Sequence, residues 1–470
     1  MADPTLFLSL AELGAAYRAG RLDPVGVTEI HLARIAELEP RLNAFQIVDA
    51  ANARSMAQAA AIRWQEGTPL SPLDGVPMTI KDNTDMAGHP TRNGSLVSSD
   101  APAEADAPVV ARLREAGAVF LGKTTTPEFG WKGITDSRLR GHYTRNPWDL
   151  ARSPGGSSGG AAASLAAGIG AVAFGNDGGG SIRIPAALSG VFGIKPNFGR
   201  VPHTPLEGFF ATVVAGGPLT RNVADAATTL AIMARPDDRD WYALPAPESG
   251  WLDNLKPHLV GLKFAYAPEL GGAEPDDDMR AAIDTAIATL RGAGAEITEV
   301  GPVIMRLRPA FEAFWRASFA ARMRTIPREQ WDLIDPGYVA IAEAGMDIGV
   351  DPVLAGEKDR ARLHRQIAEL FRDYDLLLTP TTPHAAPVVE TEYNAQGYDR
   401  WRDGVPYTLP FNLTGHPAAS LPCGLTRQGL PAGLQIVGTK YAERTILEAS
   451  LAIEATLGFN PLREQRMAAL

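Results

Sequence analysis

The chain has 470 residues, 45% of them apolar and 21% charged, and 44 Lys and Arg against 54 Asp and Glu give a formal net charge of −10. That is the make-up of an ordinary globular protein able to bury a sizeable core, and it excludes fibrous, low-complexity and disordered classes. With an acidic balance and no Lys or Arg run, nothing favours nucleic acid or an anionic membrane surface as a partner. Length alone allows two or three domains, or one elaborated α/β core. The lone cysteine, Cys423, rules out an internal disulfide and fits a reducing compartment. It lies in the apolar run 418–425, as expected of a buried strand cysteine. The N-terminus carries Asp3 and Glu12 and lacks the basic start and apolar core of a signal peptide, so a cytoplasmic location is expected. The most lipid-like stretch, 161–174, is built of Ala and Gly and falls short of the ~20 apolar residues a membrane span needs.

The first fifty residues read as helices, because Leu10, Leu13 and Tyr17, then Val27, Ile30, Ala33 and residues 35–38, recur at helical spacing. Turn chemistry at Pro72-Leu73-Asp74-Gly75 leads into a strand over 76–80 that delivers Lys81 at its C-terminal end, where α/β proteins place their chemistry. Asp106 caps a helix with Pro108 in its first turn, and Gly117 ends it before a strand over 118–121. Residues 158–167 predict a helix of small side chains and 171–174 a buried strand running into a second glycine cluster. Pro185 suits the first turn of another helix, and Asn222 with Asp225 caps one over 223–234. Beyond a polar, proline-bearing crossing at 236–250, strand 260–266, helix 279–290 and strand 296–300 alternate. Residues 306–370 are mainly helical, strands return at 376–379, 418–421 and 433–437, and a final helix covers 443–457.

Two patterns fail on context. Gly117-Ala118-Val119-Phe120-Leu121-Gly122-Lys123-Thr124 matches a phosphate loop letter for letter, but its middle residues are themselves the apolar strand. Gly155-Gly156-Ser157-Ser158-Gly159 matches a nucleophile elbow, yet residues 146–154, with two prolines, cannot form the central strand an elbow requires. A Ser-His-Asp arrangement would need a histidine, and His142 and His203 lie nearest in sequence. A different chemistry fits better. Gly155-Gly156-Ser157-Ser158-Gly159-Gly160 and Asn176-Asp177-Gly178-Gly179-Gly180-Ser181-Ile182-Arg183 place Ser157 and Ser181 24 positions apart, with Lys81 upstream in Thr79-Ile80-Lys81-Asp82. A serine hydroxyl needs a base, and bare glycine N–H groups suit an oxyanion, so a Ser-Ser-Lys hydrolase is expected.

These residues, with Gly75-Val76-Pro77, Gly122-Lys123-Thr124, Pro127-Glu128-Phe129-Gly130, Gly217-Pro218-Leu219, Pro410-Phe411-Asn412-Leu413-Thr414-Gly415 and Gly429-Leu430-Pro431-Ala432-Gly433-Leu434-Gln435, closely resemble the amidase signature family. The resemblance implies an α/β fold with a large mixed sheet of about eleven strands covered by helices on both faces. It implies one domain over 1–470, with a signature core at about 73–235, a variable substrate-shaping region at about 240–370 and a return to the core at about 375–460. It also implies no cofactor, no metal, and a small-molecule amide as partner. Oligomeric state is open between monomer and homodimer.

Carried over by position, Ser181 is implied to be the nucleophile, Ser157 the bridging serine on a cis peptide and Lys81 a base that starts neutral. Gly178, Gly179 and Gly180, with Ser181, are implied to form the oxyanion hole; Ser158, Asp177 and Arg183 support it. A free lysine near pKa 10.4 must fall by ~3 units, or ~4 kcal/mol, for that role, which burial would have to supply. Asn176, where Thr is usual, and Gly178, where a branched residue is frequent, depart from the family pattern. Gly178 is expected either to loosen the oxyanion loop or to leave room above the nucleophile. Candidate pocket walls are Phe129, Trp131, Phe209, Phe210 and Trp315, with Phe311 and Phe314 nearby; if they line the site, aryl or long acyl amides fit better than small aliphatic ones, and esters and carbamates share the same carbonyl chemistry. The alternative is the catalytic component of a tRNA-dependent glutamine amidotransferase, although residues 407–411 lack the pattern associated with it.

Overall fold

The computed structural model describes residues 3–204, 209–305, 308–389 and 405–459; the side chains of residues 142, 209 and 308–311 lie outside that description. Strands that are buried along their whole length must be covered on both faces, and the central segments here are of that kind: Pro77–Lys81, Val119–Thr124 and Val172–Asp177 are buried at every position, apolar in their first halves and polar towards their C-terminal ends. In chain order the strands are β1 (Phe45–Val48), β2 (Pro77–Lys81), β3 (Val119–Thr124), β4 (Asp136–Ser137), β5 (His142–Tyr143), β6 (Val172–Asp177), β7 (Phe192–Lys195), β8 (Ala215–Thr220), β9 (Lys263–Tyr266), β10 (Glu296–Glu299), β11 (Leu376–Pro380), β12 (Ala418–Leu425) and β13 (Pro431–Gly438). β4 and β5 form a small ribbon, and the rest make one eleven-stranded sheet in the order β1-β3-β2-β6-β8-β7-β12-β13-β11-β9-β10. The sheet is mixed: β3, β2 and β6 run parallel, as do β11, β9 and β10, while the strands between them pair antiparallel. The expected mixed α/β architecture of about eleven strands is therefore what the chain adopts.

Local chemistry explains the elements around the site. Helix Leu10–Arg18 opens with a capping box in which Ser9 and Glu12 satisfy each other's backbone N–H. Helix Gly159–Ala166 is small-sided because it lies against backbone: a Cβ on Gly160 would sit 2.5 Å from the Ala44 carbonyl oxygen and the Thr125 nitrogen. The strand expected at 171–174 runs on through Asp177, so Asn176 and Asp177 end a strand rather than occupy a loop. Asn222 caps its helix as expected, by accepting from Asp225 N–H. Asp106 does not cap: Ala107 holds that position, and the Asp106 carboxylate instead accepts from Ala87 N–H and the Arg114 guanidinium. In the long N-terminal helix Ala33 faces solvent while His31 and Leu32 are buried. Among the described residues no helix is long and apolar enough to cross a membrane.

Candidate active site

β2 and β6 are adjacent and parallel, in register Met78↔Val172, Thr79↔Ala173 and Ile80↔Phe174, so their C-terminal ends lie side by side. Lys81 ends the first and Asn176-Asp177 end the second. The Lys81 side chain is fully buried, and its Nζ lies 2.7 Å from Ser157 Oγ and 2.8 Å from Asn176 Oδ1. Burial disfavours the ammonium and brings the lysine pKa down to about 7, against a smaller opposing pull from the Asp177 carboxylate.

Ser157 follows a cis Gly156-Ser157 peptide bond. Gly156 has no room for a side chain, since a Cβ there would lie 2.6 Å from the Ile134 carbonyl oxygen. Ser158 N–H donates to the Ser181 carbonyl at 3.1 Å, which ties the loop carrying Ser181 to the two serines of the first cluster. Ser158 Oγ donates to the Asn176 carbonyl at 3.3 Å. Lys81, Ser157, Ser158 and Ser181 are thus gathered at one place, and Ser181 alone of these is partly open to solvent.

Asp177 and Arg183 are both fully buried and meet through two bonds of 2.9 Å. Burial by itself would raise the Asp177 pKa, but the Arg183 charge and hydrogen bonds, with Lys195 and Asn412, hold it well below the usual carboxylate range. The same carboxylate accepts from Gly180 N–H at 2.7 Å and Ile182 N–H at 3.2 Å. Gly180 N–H, expected as an oxyanion donor, is therefore engaged by Asp177, whereas the N–H groups of Gly178, Gly179 and Ser181 have no acceptor among the described residues. Arg183 also donates to the Thr408 carbonyl, Gln435 Oε1 and Asn412 Oδ1. Asn412 returns Nδ2 to Asp177 Oδ1.

A line of aromatic side chains connects the two glycine-rich segments. Phe210 meets Trp315 edge to face at 4.4 Å, Trp315 leans on Phe319 at 5.1 Å, Phe319 stacks on Tyr338 at 4.0 Å, and Tyr338 meets Phe129 at 5.0 Å. At one end Phe210 fills the space beside Gly178, where a Cβ would come within 2.7 Å of its ring. The side chain missing at Gly178 thus leaves room for the Phe210 ring, with Val214 also beside it. At the other end Phe129, at φ +51°, precedes Gly130, whose Cβ position is 3.2 Å from Ser157 Oγ. A bulky residue in that left-handed region is rare. It is held by its N–H bond to Asn93, by Tyr338 and by the Arg322 guanidinium 4.8 Å over its ring. Trp131 packs against Gly337, and Phe314 is core. The expected side chains of Phe209 and Phe311 lie outside the described residues.

Other sequence features resolve into structure. Lys123, from the phosphate-loop-like pattern, ends buried on β3 with its Nζ on the Pro90 carbonyl and Thr91 Oγ1, 3.3 Å from Asp82. His203 is buried and brought down to about 4 by burial and the Lys81 charge, so it is neutral; the side chain of His142 lies outside the described residues. Among the described residues no His, Cys, Asp and Glu group is arranged to hold a metal ion. Sequence reasoning missed Asn83, Thr408, Asn412, Gln435, Phe319 and Tyr338. Of these, Asn412 and Gln435 lay inside quoted motifs and carried a readable signal as buried amides in apolar surroundings.

Comparison with known proteins identifies the family. The family model described as Amidase matches residues 26–447. The chain is 36% identical over 461 residues to an acylamidase of Rhodococcus erythropolis, covering 96% of this chain and 95% of that protein. It is 34% identical to one component of the glutamyl-tRNA(Gln) amidotransferase of Roseiflexus castenholzii, covering 96% of each. A crystal structure of a bacterial aryl acylamidase of the amidase signature enzymes superposes with a TM-score of 0.88 at 29% identity, covering 99% of both chains. A family match of this extent, with relatives aligned along nearly the whole length, shows that the chain belongs to the amidase signature family.

Proposed function

We propose that the chain hydrolyses carboxylic amides through an acyl-enzyme, with Ser181 as nucleophile, Ser157 as proton relay and Lys81 as base. The observation that carries this reading is a fully buried lysine, brought down to about 7, with its Nζ 2.7 Å from the hydroxyl of Ser157. Ser181 Oγ attacks the carbonyl carbon; its proton passes to Ser157 as the Ser157 proton passes to Lys81, which becomes an ammonium. The N–H groups of Gly178, Gly179 and Ser181 receive the oxyanion, each such donor contributing roughly 10²- to 10³-fold. The intermediate collapses as Lys81 returns a proton through Ser157 to the leaving nitrogen. Water then attacks the acyl-enzyme by the same relay and regenerates Ser181.

The aromatic line from Phe210 to Phe129 supports aryl and longer acyl amides as substrates, in keeping with the names of the Rhodococcus acylamidase and of the aryl acylamidase structure. Esters and carbamates present the same carbonyl. The test is product release from aryl, alkyl and peptide amides, an ester and a carbamate, with Ser181→Ala and Lys81→Ala alongside. Each variant should lose at least ~10³-fold in kcat, since members of such a unit fail together. Activity persisting in Ser181→Ala would sink the nucleophile assignment. Similarity to the amidotransferase components supports a second reading, for which the purified chain alone would turn over no simple amide.

A further inference from the structure

We infer that the carboxamides of Asn83 and Asn176 form a positioning clamp that aims the Nζ lone pair of Lys81 at the Ser157 hydroxyl. The inference rests on the proposed role of Lys81 as base and adds two residues to it. A neutral lysine amine has two N–H groups and one lone pair. Its Nζ has two close partners, Ser157 Oγ at 2.7 Å and Asn176 Oδ1 at 2.8 Å. An amide oxygen only accepts, so one N–H is committed to Asn176 and the amine is oriented about that bond. Because the oxygen carries no full charge, it orients Nζ without restoring the ammonium as a carboxylate would.

Asn83, whose Oδ1 also accepts from Thr84 Oγ1 at 3.4 Å, sets which end of the Asn176 amide faces the lysine. The two carboxamides exchange bonds, Asn176 Nδ2 to Asn83 Oδ1 at 2.9 Å and Asn83 Nδ2 to Asn176 Oδ1 at 3.2 Å. If the Asn176 amide turned over, its NH₂ would face Nζ and compete with Ser157 for the lone pair. The pairing spans 93 positions and exists because the ends of β2 and β6 are neighbours. The titratable groups whose charge is coupled to Lys81 are Asp177, ending β6 next to Asn176, and His203; both are buried. Asp82, the following residue, is paired with Lys123.

The experiment is the pH dependence of kcat and kcat/KM for a chromogenic aryl amide, in wild type, Asn176→Asp, Asn176→Leu, Asn83→Ala and Lys81→Ala. Wild type should lose activity as pH falls through about 7, where Lys81 becomes protonated. In Asn176→Asp a carboxylate 2.8 Å from Nζ stabilises the ammonium, so the acidic limb should move up by ~1 to 3 pH units while activity above the limb recovers. Asn176→Leu should lose ~10²-fold in kcat at every pH with KM nearly unchanged, as expected when a reacting group is misaimed. Asn83→Ala should show a smaller loss of the same kind, in kcat with KM nearly unchanged, and the Asn83→Ala/Asn176→Leu double variant should lose no more than Asn176→Leu alone. If Asn176→Leu does not fold, the near-isosteric Asp variant and Asn83→Ala carry the test. An acidic limb that stays in place in Asn176→Asp, or wild-type kcat in Asn176→Leu, overturns the clamp while leaving the lysine base standing. Activity retained in Lys81→Ala overturns the base and the clamp together.

Discussion

Replacing Arg183 by methionine keeps an unbranched, apolar chain in the site and removes the charge. The wild-type guanidinium donates to both Asp177 oxygens at 2.9 Å, to Gln435 Oε1 at 2.7 Å, to Asn412 Oδ1 at 2.6 Å and to the Thr408 carbonyl at 3.0 Å, with no exposed surface. Arg183→Met therefore leaves an uncompensated carboxylate in the core and takes a donor from three further acceptors. Breaking a buried pair from one side costs about 3 to 5 kcal/mol. With about 2.1 cal/mol/K of unfolding entropy per residue, a chain of 470 residues has a melting entropy of about 1 kcal/mol/K, so the melting temperature should fall by about 3 to 5 °C. The activity loss should be larger than the stability loss suggests. Asp177 also holds Gly180 and Ile182 N–H, on either side of Ser181, and a displaced loop misplaces both the proposed nucleophile and the proposed oxyanion donors. We expect kcat to fall ~10²-fold, with KM changed much less. Arg183→Lys restores charge but not the planar fork, and should recover stability in part with little activity. Calorimetry and steady-state kinetics on the same samples make the measurement. An Arg183→Met protein that melts within about 1 °C of wild type and turns over at the wild-type rate would refute the reasoning.

Gly178→Ala places a methyl 2.7 Å from the Phe210 ring and 3.2 Å from Val214, an overpacking of ~1 to 3 kcal/mol. It should lower kcat/KM for aryl amides, and Phe210→Leu should relieve it; a double variant no better than Gly178→Ala counts against the contact. Cys423 is buried, its Sγ donates to the Ala432 carbonyl and burial pushes the thiol up to about 12, so alkylating reagents should neither label nor inhibit the native protein, as mass spectrometry with a parallel activity assay will show.

Lys81 is legible at the end of its strand because the Pro72-Leu73-Asp74-Gly75 turn and an apolar run announce β2 locally. The two glycine-serine clusters are legible because glycine at backbone-crowded positions is a direct record of packing, as the Cβ positions of Gly156 and Gly160 show. β7 and β8 escape notice for a related reason. β8 contains Gly216, Gly217 and Pro218, poor strand formers; yet a Cβ on Gly217 would lie 2.2 Å from the Ile194 carbonyl oxygen, and β7 pairs with β8 only through Leu219 and Thr220, leaving Pro218 outside that ladder. The Asn83–Asn176 pair is out of reach because no local pattern says that two strand ends 93 residues apart are neighbours. Asn176 registers only as a departure at its position, with its partner unseen.

Two separate hydrophobic clusters stand behind the site. Met78, Ile80 and Phe174, which fix the ends of β2 and β6, belong to one, and Trp315, Phe319 and Tyr338, with Phe210 and Phe129 against them, belong to the other. Descendants of this chain could therefore exchange one aromatic for another, or recast the helices Arg308–Met323 and Pro336–Glu343, while Met78, Ile80 and Phe174 keep the ends of β2 and β6 side by side. Such an enzyme can drift in what it accepts while its reaction stays the same, and a library confined to those two helices is where a search for altered selectivity would lose the fewest active clones.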